Sequence, residues 1–297
     1  MKTVGGNNLS PAYVTGGSSG IGFAIARELR SRGISLALFA RNGEKLRRAA
    51  GDLADGSDGS DGSARSRRPG ASGSVRPSIH TFQLDVSDPE AVRAAFDRAE
   101  ATLGPPRTVI HAAGSTYPDY FEGIDEARFR ELLEVNLAGT WYVLQESVAR
   151  MRRAAERPSF ILTLSSQAGL MPVFGYTAYG ATKFAVHGLS LALRQELYRE
   201  GIYVSVLAPP DTDTPQLDAE AAVRPPETAR LAGAAPLDPR RVARQAVRGL
   251  YRRRPLIVPG IKAKLEVLAY RILPGLGDLI IRRIIKGVSR DTKTHTR

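Results

Sequence analysis

Near its amino terminus the chain places a glycine-rich turn between an apolar run and a helical pattern. The apolar run is Ala12–Thr15, the turn is Gly16–Gly22, and apolar residues recur at helical spacing as far as Leu29. Glycines let the backbone bend tightly and approach a pyrophosphate, which the amino terminus of the next helix then stabilises. The spacing T-G-x-x-x-G-x-G at this place therefore predicts a strand, turn and helix that bind a dinucleotide.

Strand-like and helix-like segments alternate along the following residues. The other predicted strands are Ile34–Phe39, Ile79–Leu84, Thr108–His111, Phe160–Leu164 and Ile202–Ala208. Such alternation predicts an α/β fold with a Rossmann-type, doubly wound parallel sheet. Since 297 residues with 42% hydrophobic side chains can bury the core of one domain, we expect a single dinucleotide-binding domain over residues 1–260.

Residues 51–78 depart from this pattern. They are rich in Gly, Ser, Asp and Arg and have few apolar side chains to bury, so the sequence predicts a flexible insertion. Its D-G-S-D-G repeat lacks the closing glutamate of an EF-hand calcium loop. The chain has no cysteine and four histidines, none of them four residues apart, so no metal site is expected.

The net charge of +12 is concentrated in the carboxyl-terminal residues. Residues 240–297 contain sixteen Lys or Arg and three acids. Apolar residues interleave with these bases, so we expect no nucleic-acid partner. Residues 261–297 are predicted to be a basic helical extension, interrupted at Pro274-Gly275 and too broken by charges to span a bilayer. Two amphipathic helices on an anionic membrane surface fit this pattern; the alternative is packing on the protein's own core or on a second subunit.

No basic region followed by an apolar run begins the chain, so no secretory signal is expected. Together with the basic amphipathic extension, this predicts a cytoplasmic protein that is peripheral on the cytoplasmic face of a membrane.

Tyr179 and Lys183 are the candidate reactive pair. Residues four apart share one face of a helix, so the phenol and the ammonium can face one pocket. A fixed cation favours the phenolate, which would lower the pKa of Tyr179 from about 10 toward working pH. Ser166 precedes Tyr179 by 13 positions and follows a predicted strand, where α/β sheets bind ligands. Tyr176 is a rival, but the residue four positions later is Gly180.

With these motifs the chain resembles the classical short-chain dehydrogenase/reductase family. The resemblance rests on the glycine turn, on Y-x-x-x-K, and on an upstream Ser and Asn. It implies that Tyr179 is the proton donor, Lys183 the ribose anchor and electrostatic partner, and Ser166 the carbonyl orienter. Asn136 would stabilise a local break in its helix and take part in a water relay.

The end of the second strand indicates which nicotinamide cofactor is bound. Arg41 stands where an acid would bind the ribose diol of NAD, and an arginine can instead pair with the 2′-phosphate of NADP. Lys45 would add charge. The resemblance implies that NADPH or NADP also contacts the glycine turn, two adenine-site residues, the small-residue turn after the fourth strand, the reactive pair, and the loop after the sixth strand. These residues are Gly16, Ser18, Ser19, Gly20, Ile21, Gly22, Asp85, Val86, Ala112, Ala113, Gly114, Tyr179, Lys183, Pro209, Asp211, Thr212 and Thr214. His111, in place of the family's Asn, is expected to be structural.

Three further segments make the family resemblance more specific. They are S-S-Q-A-G from Ser165, F-G-Y-T-A-Y-G-A-T-K from Phe174, and P-P-D-T-D-T-P from Pro209 with R-P-P-E-T downstream. Over roughly residues 10–50 and 79–250 they resemble the 3-ketodihydrosphingosine reductases of this family. This implies NADPH-dependent reduction of 3-ketosphinganine to sphinganine, in sphingolipid biosynthesis.

Two alternatives remain open. One is reduction of another hydrophobic ketone or 3-ketoacyl lipid; the other is a non-catalytic, membrane-associated NADP-binding scaffold. The resemblance also implies a homodimer or homotetramer formed through residues 141–145 and 181–198.

Overall fold

The computed structural model describes residues 9–55, 77–154, 156–232 and 235–287. A seven-stranded sheet forms its centre, all neighbouring strands are parallel, and their order is β3-β2-β1-β4-β5-β6-β7. The strands are β1 (Ala12–Thr15), β2 (Leu36–Ala40), β3 (Ile79–Gln83), β4 (Thr108–His111), β5 (Ser159–Leu164), β6 (Ile202–Leu207) and β7 (Leu256–Ile257). The predicted Rossmann-type, doubly wound sheet in a single domain is confirmed.

Eleven α-helices connect and cover the strands in the described part of the chain. They are α1 (Gly20–Ser31), α2 (Gly43–Asp55), α3 (Pro89–Leu103), α4 (Glu126–Leu133), α5 (Gly139–Arg153), α6 (Thr177–Leu197), α7 (Pro215–Ala221), α8 (Pro226–Ala232), α9 (Pro239–Tyr251), α10 (Ile261–Ile272) and α11 (Pro274–Lys286). The predicted insertion at 51–78 therefore begins inside α2, and its residues 56–76 lie outside the described residues.

The sheet separates two hydrophobic layers. Helices α1 and α9 pack on one face, where Leu29 and Val247 are fully buried; α3, α5 and α6 cover the other face, where Phe96 and Val143 are fully buried. Strands with both faces covered are apolar throughout, as in β5. This burial on both sides explains why the strands appear in the sequence as short apolar runs.

The chain reverses its direction across the sheet between β1 and β4. Strands β2 and β3 lie on one side of β1, whereas β4 and all later strands lie on the other. In a doubly wound sheet a crevice opens at this point, beyond the carboxyl ends of the strands. The residues that follow Thr15 and His111, which are paired in register, therefore meet at the crevice.

Helices α10 and α11 form a hairpin that contacts α8. The break between them falls at Leu273, before Pro274, so the predicted pair of carboxyl-terminal helices is confirmed. None of the described helices combines the length and apolar character needed to cross a bilayer.

Candidate active site

The glycine turn after β1 is a close-fitting backbone cradle. Gly16 has φ +67°, and a Cβ on it would lie 2.7 Å from the backbone of Ala112. A Cβ on Gly22 would lie 2.3 Å from the carbonyl oxygen of Gly16. Side chains are therefore excluded at both positions, and α1 begins within the turn, at Gly20, so its first N–H groups have no partner within the helix. This arrangement fits a pyrophosphate.

A cavity of about 890 Å³ extends from this turn to the carboxyl-terminal helices. Among the residues predicted to contact the cofactor, all except Asp85 line it. The carboxylate of Asp85 instead accepts hydrogen bonds from the backbone N–H of Ser87 at 3.0 Å and from its hydroxyl at 2.7 Å. Val86 lines the cavity beside it. The structure thus gives the side chain of Asp85 a role in its own loop.

Arg41 and Lys45 lie at the far end of this cavity, where β2 ends and α2 begins. Both side chains are exposed. The side chain of Asn42 accepts a hydrogen bond from the backbone N–H of Lys45 at 2.9 Å and so orders the first turn of α2. The two cations can therefore reach an anionic group bound beyond β2.

Tyr179 and Lys183 stand one turn apart in the first half of α6, and both line the cavity. They are 9% and 5% exposed. The Lys183 ammonium lies 5.5 Å from the centroid of the Tyr179 ring and donates a hydrogen bond to the carbonyl oxygen of Leu164 at 3.1 Å. A Cβ at Gly114 would lie 3.2 Å from this ammonium. The helix therefore brings the predicted pair to the strand ends.

The protonation of this pair differs from the expectation based on spacing. Burial raises the pKa of Tyr179 well above 10, a hydrogen bond with Ser166 acts in the opposite direction, and the charges of Glu220 and Asp211 raise it further. Burial also lowers the pKa of Lys183 from 10.5 to about 8. The predicted lowering of the phenol pKa is therefore not observed here, because loss of hydration outweighs the hydrogen bond with Ser166.

Ser166 follows the carboxyl end of β5 and lines the same cavity. Its hydroxyl accepts a hydrogen bond from the N–H of Ala168 at 3.1 Å, which fixes the turn. Helix α6 approaches this turn closely, since a Cβ on Gly180 would lie 3.3 Å from the carbonyl oxygen of Ala168. This close packing brings the hydroxyl of Ser166 and the phenol of Tyr179 together.

Asn136 lies behind the reactive pair, within a π-helical turn over Glu134–Ala138. Its side-chain oxygen accepts from the N–H of Ser115 at 2.8 Å, and its amide donates to the Ser115 carbonyl at 2.9 Å and to Thr182 at 3.0 Å. The predicted break in the helix is present at this residue. Asn136 thus ties the loop after β4 to α6.

His111 is buried in the core below the cavity. Its two ring nitrogens lie 2.8 Å from the hydroxyl of Thr15 and 3.0 Å from that of Thr140. Burial, assisted by the charge of Lys183, lowers the pKa of His111 to about 3, so the ring is neutral. These contacts give His111 the structural role expected from its position.

A buried polar network was missed by the sequence analysis. The hydroxyl of Tyr176 donates a hydrogen bond to Glu220 and accepts one from Arg224 Nε at 2.9 Å. Arg224 also forms a bidentate ion pair with Asp211, at 2.8 and 3.1 Å. The sequence gives Tyr176 no cation one helical turn away, since Gly180 stands there; the structure supplies one from Arg224, 48 residues away. The spacing of Glu220 and Arg224, four apart, is the one local signal of this network.

Two buried residues, Glu227 and Thr228, hold helix α8 in place. The carboxylate of Glu227 accepts from the hydroxyl of Tyr120 at 2.9 Å, and the hydroxyl of Thr228 donates to the carbonyl oxygen of Phe174 at 2.8 Å. The E-T pair noted in the sequence therefore has a structural role, which is to hold α8 beside the cavity.

The carboxyl-terminal hairpin forms the remaining wall. Glu266 on α10 accepts from the side-chain amide of Gln167 at 2.8 Å, directly beside Ser166. Ile280, Ile281 and Ile284 of α11 also line the cavity. The cavity is thus polar near the strand ends and apolar along α11.

Comparison with known proteins adds to this geometry. A family model described as short chain dehydrogenase matches residues 10–62 and 66–224. The 3-ketodihydrosphingosine reductase of Mus musculus is 34% identical over 79% of this chain and 66% of its own length, and the 3-dehydrosphinganine reductase of Danio rerio is 34% identical over 74% and 62%. The chain thus spans just under two thirds of these relatives.

Solved structures share the fold. An alcohol dehydrogenase from the archaeon Thermococcus sibiricus, complexed with 5-hydroxy-NADP, has a TM-score of 0.66 and 26% identity over 84% of this chain and 95% of its own. A putative short-chain dehydrogenase from Novosphingobium aromaticivorans has a TM-score of 0.70 and 23% identity, over 95% of this chain and 88% of its own.

Proposed function

The chain belongs to the short-chain dehydrogenase family, and from that premise we propose that it reduces the ketone of 3-ketosphinganine to sphinganine with NADPH. The main observation behind this proposal is that Tyr179, Lys183 and Ser166 line the same cavity as the glycine turn. Two relatives at 34% identity that are named for reduction of this ketone support the choice of substrate.

The residues of the cavity suit a dinucleotide. The turn that excludes side chains at Gly16 and Gly22 would hold the pyrophosphate, and Arg41 and Lys45 would pair with a 2′-phosphate. The NADP derivative bound by the archaeal alcohol dehydrogenase supports this preference. When bound, the reduced nicotinamide supplies the hydride for the carbonyl carbon.

Side chains of the protein supply the proton and stabilise the charge that develops during the reaction. The phenol of Tyr179 is protonated at neutral pH, since its pKa lies above the ordinary value, and it can donate this proton as negative charge develops on the carbonyl oxygen. Ser166 donates a hydrogen bond to the same oxygen and stabilises the negative charge that develops on it. Lys183 anchors the nicotinamide ribose, and its charge stabilises the phenolate that forms when Tyr179 gives up its proton. Asn136 holds α6 against the loop after β4 and takes part in the water relay.

The apolar wall suits a long aliphatic chain. The isoleucines of α11 line the cavity beyond Tyr179, and α10 and α11 present further apolar side chains to the outside, including Leu268 and Ile272, which are 52% and 65% exposed. We therefore assign residues 1–260 to the NADP-binding domain and residues 261–297 to an extension that completes the substrate side.

We place the exposed face of this extension against a membrane, peripherally and on its cytoplasmic side. Between Ile261 and Gly287 the extension has six basic residues, Lys262, Lys264, Arg271, Arg282, Arg283 and Lys286, and two acidic ones, Glu266 and Asp278. Apolar side chains beside an excess of bases suit anionic lipid head groups.

A second, separate surface suits self-association. Trp141 on α5 and Phe184 on α6 are half exposed on the face that carries the family's subunit contacts. This supports a homodimer or homotetramer.

The decisive experiment is NADPH oxidation by the purified chain with synthetic 3-ketosphinganine in detergent micelles, with sphinganine identified by mass spectrometry. Simple ketones and 3-ketoacyl thioesters of matched chain length are the comparison substrates. Turnover of the thioester without turnover of 3-ketosphinganine would instead support the other lipid reductase. NADPH binding without turnover of any of them would support the scaffold.

A further inference from the structure

The wall of the cavity beside Tyr179 carries an unbalanced negative charge. Asp211, Glu220 and Arg224 are joined there by ion pairs of 2.8 and 3.0 Å, and all three residues line the cavity. Two carboxylates face one guanidinium. The Asp211 side chain is 38% exposed, whereas Glu220 is buried. Burying a charge is costly unless it is paired, so the cavity beside Glu220 favours a cationic ligand.

Glu220 is the carboxylate best placed to receive such a ligand. It is 7% exposed on α7. Its Oε2 atom is occupied by the hydroxyl of Tyr176 and by Arg224, whereas Oε1 accepts one hydrogen bond, from Gln216 at 3.2 Å, in the described part of the chain. A carboxylate oxygen can accept two hydrogen bonds. Oε1 therefore retains capacity for one more donor.

The network lies next to the candidate proton donor. The ring centroids of Tyr176 and Tyr179 are 5.5 Å apart. The charges of Glu220 and Asp211 are also among the influences that raise the pKa of Tyr179. A cation bound at Glu220 would thus sit close to the carbonyl that Tyr179 protonates.

Neighbouring cations are engaged elsewhere. The Lys183 ammonium donates to the carbonyl oxygen of Leu164. Lys262, on the hairpin, lies 3.6 Å from Glu266. Arg224 is already shared between Asp211 and Glu220. Among the described residues, Arg224 is therefore the cation that pairs with Asp211 and Glu220.

We propose that Glu220 binds a protonated amino group next to the substrate's carbonyl and so makes the enzyme selective for α-amino ketones. The inference rests on the proposed ketone reduction, and it names the part of the substrate that this wall recognises. Arg224 and Tyr176 act as positioning residues, because they hold Oε2 of Glu220 and leave Oε1 with capacity for a further donor.

The test compares 3-ketosphinganine with the hydroxy ketone of equal chain length that lacks the amino group. The ratio of kcat/KM for these two substrates is measured for the wild-type chain and for Glu220→Gln. Asp218→Asn is the matched control, because Asp218 is exposed on the same helix and does not line the cavity. Thermal unfolding and NADPH binding confirm that each variant is folded.

We expect the wild-type chain to favour the amino ketone, and Glu220→Gln to lower this preference by about tenfold to a hundredfold, the range for loss of a hydrogen bond to a charged group. Asp218→Asn should keep the wild-type ratio. A folded Glu220→Gln variant with the wild-type ratio would overturn the inference, as would a wild-type chain that reduces both ketones equally. A wild-type chain that reduces neither ketone would instead overturn the proposed function.

Discussion

The ammonium of Lys183 donates a 3.1 Å hydrogen bond to the carbonyl oxygen of Leu164, the last residue of β5. A helix residue is thereby tied to the strand end where the cavity opens. This position also buries the ammonium, and burial lowers its pKa to about 8.

The buried lysine predicts a pH-dependent stability. The pKa of Lys183 falls from 10.5 in the unfolded chain to about 8 in the folded protein, so between these values the unfolded state binds more protons. Stability therefore rises with pH in this window, by at most about 1.4 kcal/mol per pH unit. We expect the unfolding free energy of the wild-type chain to increase relative to Lys183→Met from about pH 8 upward.

Urea denaturation followed by circular dichroism at several pH values measures this difference. Lys264→Met is the control, because Lys264 is exposed on α10, and its difference from the wild type should stay flat. A constant difference for Lys183→Met as well would contradict the assigned burial.

Replacing the proposed proton donor should stop catalysis without emptying the cofactor site. Tyr179→Phe removes the phenol proton and leaves the ring, so we expect turnover to fall by about 10² to 10⁴. NADPH binding, followed by its fluorescence, should persist. Tyr198→Phe makes the same change on an exposed tyrosine and should leave turnover unchanged. Near-normal activity of Tyr179→Phe would remove the phenol from the mechanism.

Much of the fold and of the candidate site could be predicted from the local spacing of residue types. The residues of the glycine turn are close together in the sequence, and so are Tyr179 and Lys183. Residue type and local spacing were therefore enough to predict that each group acts together. Strand runs buried on both faces were equally visible. The sheet order then follows from the general rules for alternating strands and helices.

Contacts between distant segments could not be predicted in this way. Tyr176 meets Glu220 across 44 residues, and no local pattern indicates that α7 folds back over α6. Burial, together with the charges of Glu220 and Asp211, raises the pKa of Tyr179. The candidate reactive groups can be predicted from the sequence, but their protonation depends on packing that only the structure supplies.

Cofactor preference should depend on Arg41. If its guanidinium pairs with the 2′-phosphate, Arg41→Ala should reduce the preference for NADPH over NADH by about tenfold or more. The ratio of kcat/KM for the two cofactors measures this effect. Arg48→Ala is the matched control, because Arg48 is exposed on α2 and does not line the cavity. An unchanged ratio in Arg41→Ala would assign the selectivity to other residues.

The exposed apolar face of the hairpin predicts membrane binding that can be separated from catalysis. Leu268 and Ile272 are exposed on α10 and do not line the cavity, so changing both to Glu should alter the outer face alone. We expect this variant to lose sedimentation with vesicles containing phosphatidylglycerol, since each charge opposes insertion and repels anionic lipid. Activity on substrate in detergent micelles should remain.

The matched control for this variant places two glutamates on another part of the surface. Phe121 and Tyr198 are exposed at 77% and 62%, and their replacement by Glu makes the same chemical change away from α10 and α11. This control should sediment with the vesicles as the wild type does. If both variants sedimented with the vesicles as the wild type does, the hairpin would not be the membrane-binding surface. That result would favour packing of the hairpin against a second subunit. Because α10 and α11 also line the cavity, a membrane held on their outer face would place a lipid ketone beside the wall that is proposed to receive it.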